Sequence, residues 1–340
     1  CWPGDRTEAF AMTAKPLSRR SFTLAALPVT LAMPSAWAQA PGGYPDKPIR
    51  LVIAFPPGGP TDLVARVLAQ KLGEQMGQSV VVDNKPGANG NIAAEFVVKA
   101  PADGYTLFYN TSAIALSPAL YKKLAYDPAA DLAPVMLCAV IPLVLSVHPS
   151  VPAQTVQEFV AYLKANPGKL SYGSAGNGNI THLGAHMFLQ ANGLSAQHVP
   201  YKGSAPALTD LVAGQTQFTT DTLNSSLPFI RDKRLRALAV TGANRSALLP
   251  DVPTLAETVM PGFEVGAWQG LTVPAKTPPE IVRRLHAELG KALAAPDVRA
   301  KLAQQGADPL GSTPEAYGRY IKSEIERWTK VVRQTGASLE

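Results

Sequence analysis

Residues 51–63, LVIAFPPGGPTDL, constrain the fold of this chain more than any other stretch. Leu51 to Phe55 is continuously apolar, the pattern of a strand buried on both faces rather than one with a solvent side. Two prolines and two glycines then turn the chain, after which Val64, Val67, Leu68 and Leu72 recur at helical spacing. Pro60 suits the first helical position, where its fixed φ is already helical and its missing N–H would have had no intrahelical partner. The N–H groups of Thr61, Asp62 and Leu63 become candidate unpaired donors at the positive end of the helix dipole. Strand, glycine turn and helix start is how an α/β protein holds an anion without a formal cation. The stretch reads as half of a carboxylate-binding cleft, or more plainly as a chain reversal that needs glycine for positive φ.

The same unit recurs along the chain. Strands are expected at Ser79–Asp83 and Tyr105–Tyr109, with a helix at Asn91–Lys99 that turns Ile92, Phe96 and Val97 toward a core. Leu132 to Val147 is almost wholly apolar, but Pro134 and Pro142 interrupt it and it is too short for a membrane span. Two buried strands or one long crossover strand fits better. A second series follows: a helix at Thr155–Asn166 with a capping-box spacing from Thr155 to Glu158, then a strand at Leu170–Gly173. The glycine-rich turn 174–179 leads into a helix at Ile180–Ala191. Shorter strands are expected at His198–Tyr201, Phe218–Asp221 and Ala237–Thr241, with helices at Gly203–Ala213 and around Leu227–Arg231. Two such series imply two facing lobes, with Gly262–Val273 returning the chain to the first. Helices at Pro279–Ala294, Asp297–Gln305 and Pro314–Arg333 then wrap that lobe. The boundaries expected are 44–141 plus 266–340 for lobe 1 and 142–265 for lobe 2.

The N-terminal 38 residues read differently. Lys15, the run Ser18-Arg19-Arg20-Ser21-Phe22, an apolar stretch and Ala36-Trp37-Ala38 form a secretory signal peptide with cleavage after Ala38. The paired arginines leave twin-arginine and ordinary secretion both open. Residues 1–11 read as an upstream extension. An exported, periplasmic protein beginning near Gln39 is expected.

Several function classes are disfavoured. Of the net charge of +6, residues 1–38 carry +2, and the remaining basic residues are scattered without aromatic interleaving, so nucleic-acid binding is not expected. Cys1 and Cys138 are too few and too distant for a thiolate metal cluster, and Cys138 reads as buried packing. His182 and His186 share a helix face but lack the glutamate of the zinc motif, so they line or cap a cleft unless they share a metal. Neither glycine turn matches a dinucleotide or P-loop fingerprint, and no cofactor is expected.

Candidate site residues cluster at strand ends, which face the cleft of a parallel sheet. Ser174 lacks the frame of a hydrolase elbow and reads as a hydroxyl donor in a binding turn. Asp62 either satisfies the helix dipole itself or receives a ligand's ammonium or hydroxyl. Asp221 and Lys202 lie at strand ends, and no pair of acids stands out as general acid and base.

With these turns in place the chain resembles the substrate-binding receptors of the tripartite tricarboxylate transporter family, the Bug or TctC type. The resemblance is carried by FPPGGPTD at 55–62, NKPGANGNIAAE at 84–95, ADGYTLF at 102–108, YGSAGNGNITHL at 172–183, VPYKGSAPALTDLVAGQ at 199–215 and AVTGANRSALLPDVPTLAE at 239–257. It implies a two-lobed α/β Venus-flytrap fold, each lobe a mostly parallel sheet flanked by helices and joined by crossover strands. It also implies no catalysis: a small carboxylate would be held largely by main-chain groups and handed to membrane permease subunits by a monomeric receptor. By position it implicates Phe55, Gly58, Gly59, Thr61 and Asp62 in the first turn, and Ser174, Ala175, Gly176, Asn177 and His182 in the second. Thr111, Ser112, Tyr201, Gly203 and Asp221 would complete the wall. Asn179 stands where the family has Ser or Thr. The alternatives are an exported hydrolase using Ser174, His182 and Asp221, and a receptor feeding a sensor protein.

Overall fold

A computed structural model describes residues 43–339; the expected export segment lies outside them. The chain runs β1 (Ile49–Ile53), α1 (Pro60–Met76), β2 (Val80–Asn84), α2 (Asn91–Val98), β3 (Thr106–Thr111), α3 (Ala113–Leu120) and β4 (Leu132–Val147). It continues through α4 (Val156–Ala165), β5 (Ser171–Ser174), α5 (Ile180–Ala191), β6 (Gln197–Pro200), α6 (Ser204–Val212), β7 (Phe218–Thr222), α7 (Leu223–Arg231) and β8 (Arg236–Val240). The last elements are α8 (Leu255–Thr258), β9 (Gly266–Pro274), α9 (Pro279–Ala294), α10 (Pro296–Gln304), β10 (Asp308–Pro309) and α11 (Pro314–Thr335).

The strands form one ten-stranded sheet in the order β2-β1-β3-β9-β4-β7-β5-β6, with β8 and β10 also paired to β4. Its two ends are parallel, β1 with β2 and β3, and β5 with β6 and β7. Its centre is antiparallel, because β4 and β9 cross it. The sheet is therefore mixed, and the parallel character expected from the β-α repeats is confined to the ends. Leu132–Val147 is one sixteen-residue strand, its first part paired to β9 and its last to β7 and β8.

Period-two alternation divides the apolar residues between two cores, one on each face of the sheet. Leu51, Ile53, Leu107, Tyr109 and Val144 belong to one, and Val52, Phe108, Leu143 and Leu145 to the other. α11 closes the second face through Tyr317, Ile321 and Trp328. Glu324 accepts the indole N–H of Trp268 at 2.9 Å and of Trp328 at 2.8 Å, which fixes β9 against that helix. Cys138 is buried, and burial pushes its thiol pKa far up.

Local differences from the expected elements have physical reasons. α3 was not anticipated, because AIALSPAL contains Pro118 and is buried on most sides, leaving no polar face to mark a helical period. Ile92 is exposed at 52%, so it does not join the core that holds Val97. Phe96 is only partly buried and carries Lys85 over its ring at 4.2 Å. Thr155 caps α4 through Glu158 N–H, but the Glu158 carboxylate reaches back to Gln154 N–H, one residue before the cap. Among the described residues no helix is long and apolar enough to cross a membrane.

Candidate functional site

A cavity of about 500 Å³ opens where the strand ends of both halves of the sheet meet. Five helices begin on it. α1 contributes Gly59, Pro60 and Thr61; α3 contributes Ser112 and Ala113; α5 contributes Asn179, Ile180 and Thr181. α6 contributes Gly203, Ser204 and Ala205, and α7 contributes Thr222 and Ser225. Among the described residues of the lining, Lys202 is the only ionisable side chain. Phe55, Leu116, Ile180, Leu208 and Phe229 supply an apolar wall, and Ala267 and Gln269 of β9 enter from the crossover strands. The five helix dipoles point their positive ends at the cavity, although side chains already take the amides of Ala113, Thr181 and Ser225.

The first glycine turn is built around Asp62. Gly58 takes φ +79°, open to glycine and strained for other residues, and Gly59 is the extended N-cap of α1. The buried Asp62 carboxylate accepts Gly58 N–H at 2.9 Å, Arg66 Nε at 2.8 Å and Asn84 Nδ2 at 3.0 Å. Burial alone would raise its pKa, but the bonds from Arg66, Gly58 and Asn84 outweigh that and hold it below the usual value. Asp62 thus braces the turn from behind and does not line the cavity. Leu63 N–H bonds Gly59 O at 3.1 Å and so joins the helix ladder rather than staying open.

In the second turn the side chains take up the amides. Ala175 N–H bonds Thr181 Oγ1 at 2.9 Å, Gly176 N–H bonds Ser174 Oγ at 3.2 Å and Gly178 N–H bonds His182 Nδ1 at 3.1 Å. Asn179 caps α5, its Oδ1 accepting the N–H and hydroxyl of Thr181, both at 3.1 Å. Asn179, where the resemblance implies Ser or Thr, therefore does the work of a cap. Behind the turn His182 and His198 stack with ring centres 3.8 Å apart, and Tyr172 stacks on His198 at 5.0 Å. Burial, and then the neighbouring His198 and His186, push His182 down to about 3; burial pushes His198 down to about 4. The Gly178 bond requires an unprotonated His182 Nδ1.

Of the expected site residues, Phe55, Gly58, Gly59, Thr61, Thr111, Ser112, Ala175 and Gly203 line the cavity. Asp62, Ser174, Gly176, Asn177, His182, Tyr201 and Asp221 stand outside it. Ser174 is fully buried and bonded to His198 Nε2 at 2.6 Å. Asn177 holds Ser338 O at 2.9 Å, and Tyr201 donates its hydroxyl to Asp210 at 2.8 Å. Asp221 lies under the wall: its Oδ1 accepts Ser204 Oγ at 2.7 Å and Thr222 N–H at 2.6 Å, while its buried Oδ2 has no partner. Burial raises its pKa to about 6, against the opposing bonds from Ser204 and Thr222. Ser174, His182 and Asp221 are thus not joined to one another as a catalytic triad would be, since Ser174 pairs with His198 and Asp221 with Ser204. Among the described residues no three His, Cys, Asp or Glu side chains converge as a metal site would require. Sequence reasoning missed Asn89, Ser225, Phe229 and Gln269 of the lining. Asn89 stands in the glycine loop 87–90, which sequence reasoning took only as a connection, while no turn or glycine marks the other three.

Comparison with known proteins agrees with this architecture. Residues 64–337 match the model of the tripartite tricarboxylate transporter family receptor. Protein BugT of Bordetella pertussis is 38% identical over 299 residues, covering 87% of this chain and 92% of BugT. The structure of R. palustris Rpa4515 with adipate superposes with a TM-score of 0.80 at 40% identity, covering 86% of this chain and 98% of that one. MatC from Rhodopseudomonas palustris with bound malate gives 0.74 at 34% identity, covering 85% of this chain and all, 100%, of that one. The fold is the two-lobed α/β fold of periplasmic binding proteins, and the relatives that share it are solute-binding receptors rather than enzymes. A cavity ringed by helix starts, on a sheet crossed by β4 and β9 and matched along nearly the whole described chain, makes this protein a member of the tripartite tricarboxylate transporter receptor family.

Proposed function

We propose that the chain is an exported periplasmic receptor that closes over a small carboxylate and delivers it to the permease subunits of a tripartite tricarboxylate-type transporter. The observation that carries this reading is the ring of five helix starts around a cavity that contains one lysine and no acid. Such a lining presents peptide N–H dipoles to a carboxylate and an apolar wall to its carbon chain. Adipate and malate in the related structures support the ligand class. Thr61 N–H of the first turn, together with Ser204 N–H and Ala205 N–H at the start of α6, are the groups assigned to the carboxylate. Residues 44–141 with 266–340 form one lobe and 142–265 the other, and closure bends β4 and β9 where they pass between them.

The test is calorimetry and thermal melting on protein first unfolded and refolded to strip retained ligand, against a panel of mono-, di- and tricarboxylates. At a ligand concentration a hundredfold above Kd the fold gains about 2.7 kcal/mol. No heat and no shift with any carboxylate would reject the reading.

A further inference from the structure

Asp221 is the penultimate residue of β7 and is wholly buried, next to the cavity wall but not in its lining. Its Oδ1 ties together two of the helix starts that form that wall. It accepts Ser204 Oγ of α6 at 2.7 Å, and at the N-cap of α7 it accepts Thr222 N–H at 2.6 Å and Thr222 Oγ1 at 3.3 Å. Its Oδ2 is buried and has no partner. Thr220 Oγ1 donates to Thr181 O of α5, so strand alternation turns Asp221 to the opposite face, where it meets α6 and α7.

Among the described residues no cation is paired with this carboxylate. β4, whose Val144 sits opposite Asp221, carries no charged side chain, and neither does β5. α6 carries Asp210, engaged by the Tyr201 hydroxyl at 2.8 Å, and α7 carries Arg231 in its last turn. Lys202, in the loop before α6, is exposed. On the far face are His182 and His186 of α5, and beyond β5 lies His198; burial lowers all three. Arg236 of β8 holds the carbonyls of Val151 and Ala153, and Asp308 of β10 sits opposite Val140, four residues along β4 from Val144. Burial thus raises the Asp221 pKa to about 6, against its bonds from Ser204 and Thr222.

A ligand carboxylate on Ser204 N–H rests on the same residue whose hydroxyl Asp221 holds. Two like charges so placed favour protonation of the one that water does not reach. Oδ2 can take the proton while Oδ1 keeps Ser204 and Thr222. A buried neutral O–H without a partner costs less than a buried charge without one. We infer that Asp221 is a positioning residue that holds the starts of α6 and α7 to the cavity and takes up a proton as an anion binds, so that affinity falls as pH rises through neutrality. This rests on the carboxylate-receptor reading above and adds a proton to it.

The experiment is calorimetry of ligand-stripped protein with succinate, malate, adipate and citrate at pH 6.5, in two buffers of different ionisation heat. If the bound anion raises the Asp221 pKa from about 6 by about one unit, about 0.5 proton is taken up per ligand. Affinity should then fall about fivefold between pH 6 and about 8.5. Infrared difference spectra with isotope-labelled ligand should show a new unlabelled carboxyl band, which separates an acid from a histidine in the unmodified protein. Asp221→Asn keeps an acceptor for Ser204 and Thr222. It should abolish the uptake and bind at high pH within about twofold of the parent at pH 6. Asp221→Ala loses the brace and should bind about tenfold more weakly than Asp221→Asn at every pH. No uptake, no new carboxyl band, or uptake that survives Asp221→Asn overturns the proton linkage and leaves the receptor reading standing. Asp221→Ala binding as tightly as Asp221→Asn overturns the positioning role. Silence of every mono-, di- and tricarboxylate overturns the receptor reading itself, and this inference with it.

Discussion

The two glycine turns look interchangeable as sequence, yet they do different work. In the Gly58–Gly59 turn, one buried carboxylate braces the loop from behind, and the first helical amides of α1 stay clear for the cavity. In the 174–179 turn, Thr181, Ser174 and His182 take the amides of Ala175, Gly176 and Gly178, and a stack of aromatic rings backs the loop. The first turn gives a side-chain partner to Gly58 N–H, and the second gives one to each of three amides. On that half of the sheet the starts of α6 and α7 also line the cavity. Glycine content therefore says where a chain turns, and the neighbouring side chains decide whether the amides are available.

The sharpest way to break this contrast is a pair of substitutions. Gly178 has φ +69°, and a Cβ there would lie 2.5 Å from a Leu120 methyl. Gly178→Ala combines left-handed strain with overpacking and should cost about 3 kcal/mol in urea unfolding. Gly59 has a negative φ and only Pro56 O near its Cβ, at 3.4 Å. Gly59→Val should leave stability within about 1 kcal/mol but crowd the first-turn amides and weaken carboxylate binding about a hundredfold. The reverse assignment, with Gly178→Ala hurting only affinity, would erase the distinction.

A pH series tests the second turn alone. His182 and His198 have folded pKa values of about 3 and about 4, below the usual 6.5. The unfolded chain therefore binds their protons first, and stability is present above pH 6.5 and lost as pH falls through about 4 for His198 and about 3 for His182. Asp221, raised to about 6, works in the opposite direction over the same window. Removing the histidine contribution with His198→Gln should flatten the acid side of a melting-temperature profile. A slope identical to that of the parent would show that the stack does not govern this turn. The smallest effect is expected at Lys202, which is exposed. Lys202→Met should weaken carboxylate binding about threefold and reduce its salt dependence, because peptide dipoles carry most of the attraction. A loss of a hundredfold would move the role from amides to a cation.

Elements with strong punctuation were legible from residues alone. Ile180–Ala191, Pro279–Ala294 and Leu132–Val147 match their observed bounds, set by an Asn cap, prolines at a helix start and a long apolar run. Several short strands lie one or two residues away from expectation, as with β1 ending at Ile53 instead of Phe55, because continuous apolar runs give no edge to the period. Within the site, glycines and helix starts could be read, while Gln269 and Phe229 could not. Their approach depends on pairing between segments more than a hundred residues apart, as Thr111 with Gln269 shows. His182 was expected in the wall; its stacking on His198 of β6 draws it behind the turn instead.

Helix ends surrounding a cavity with a single solvated lysine have one more consequence. When such a pocket opens there is no buried ion pair to pull apart and no stranded counter-charge to rehydrate. Water need only return to a few neutral peptide groups and to one lysine that is already exposed.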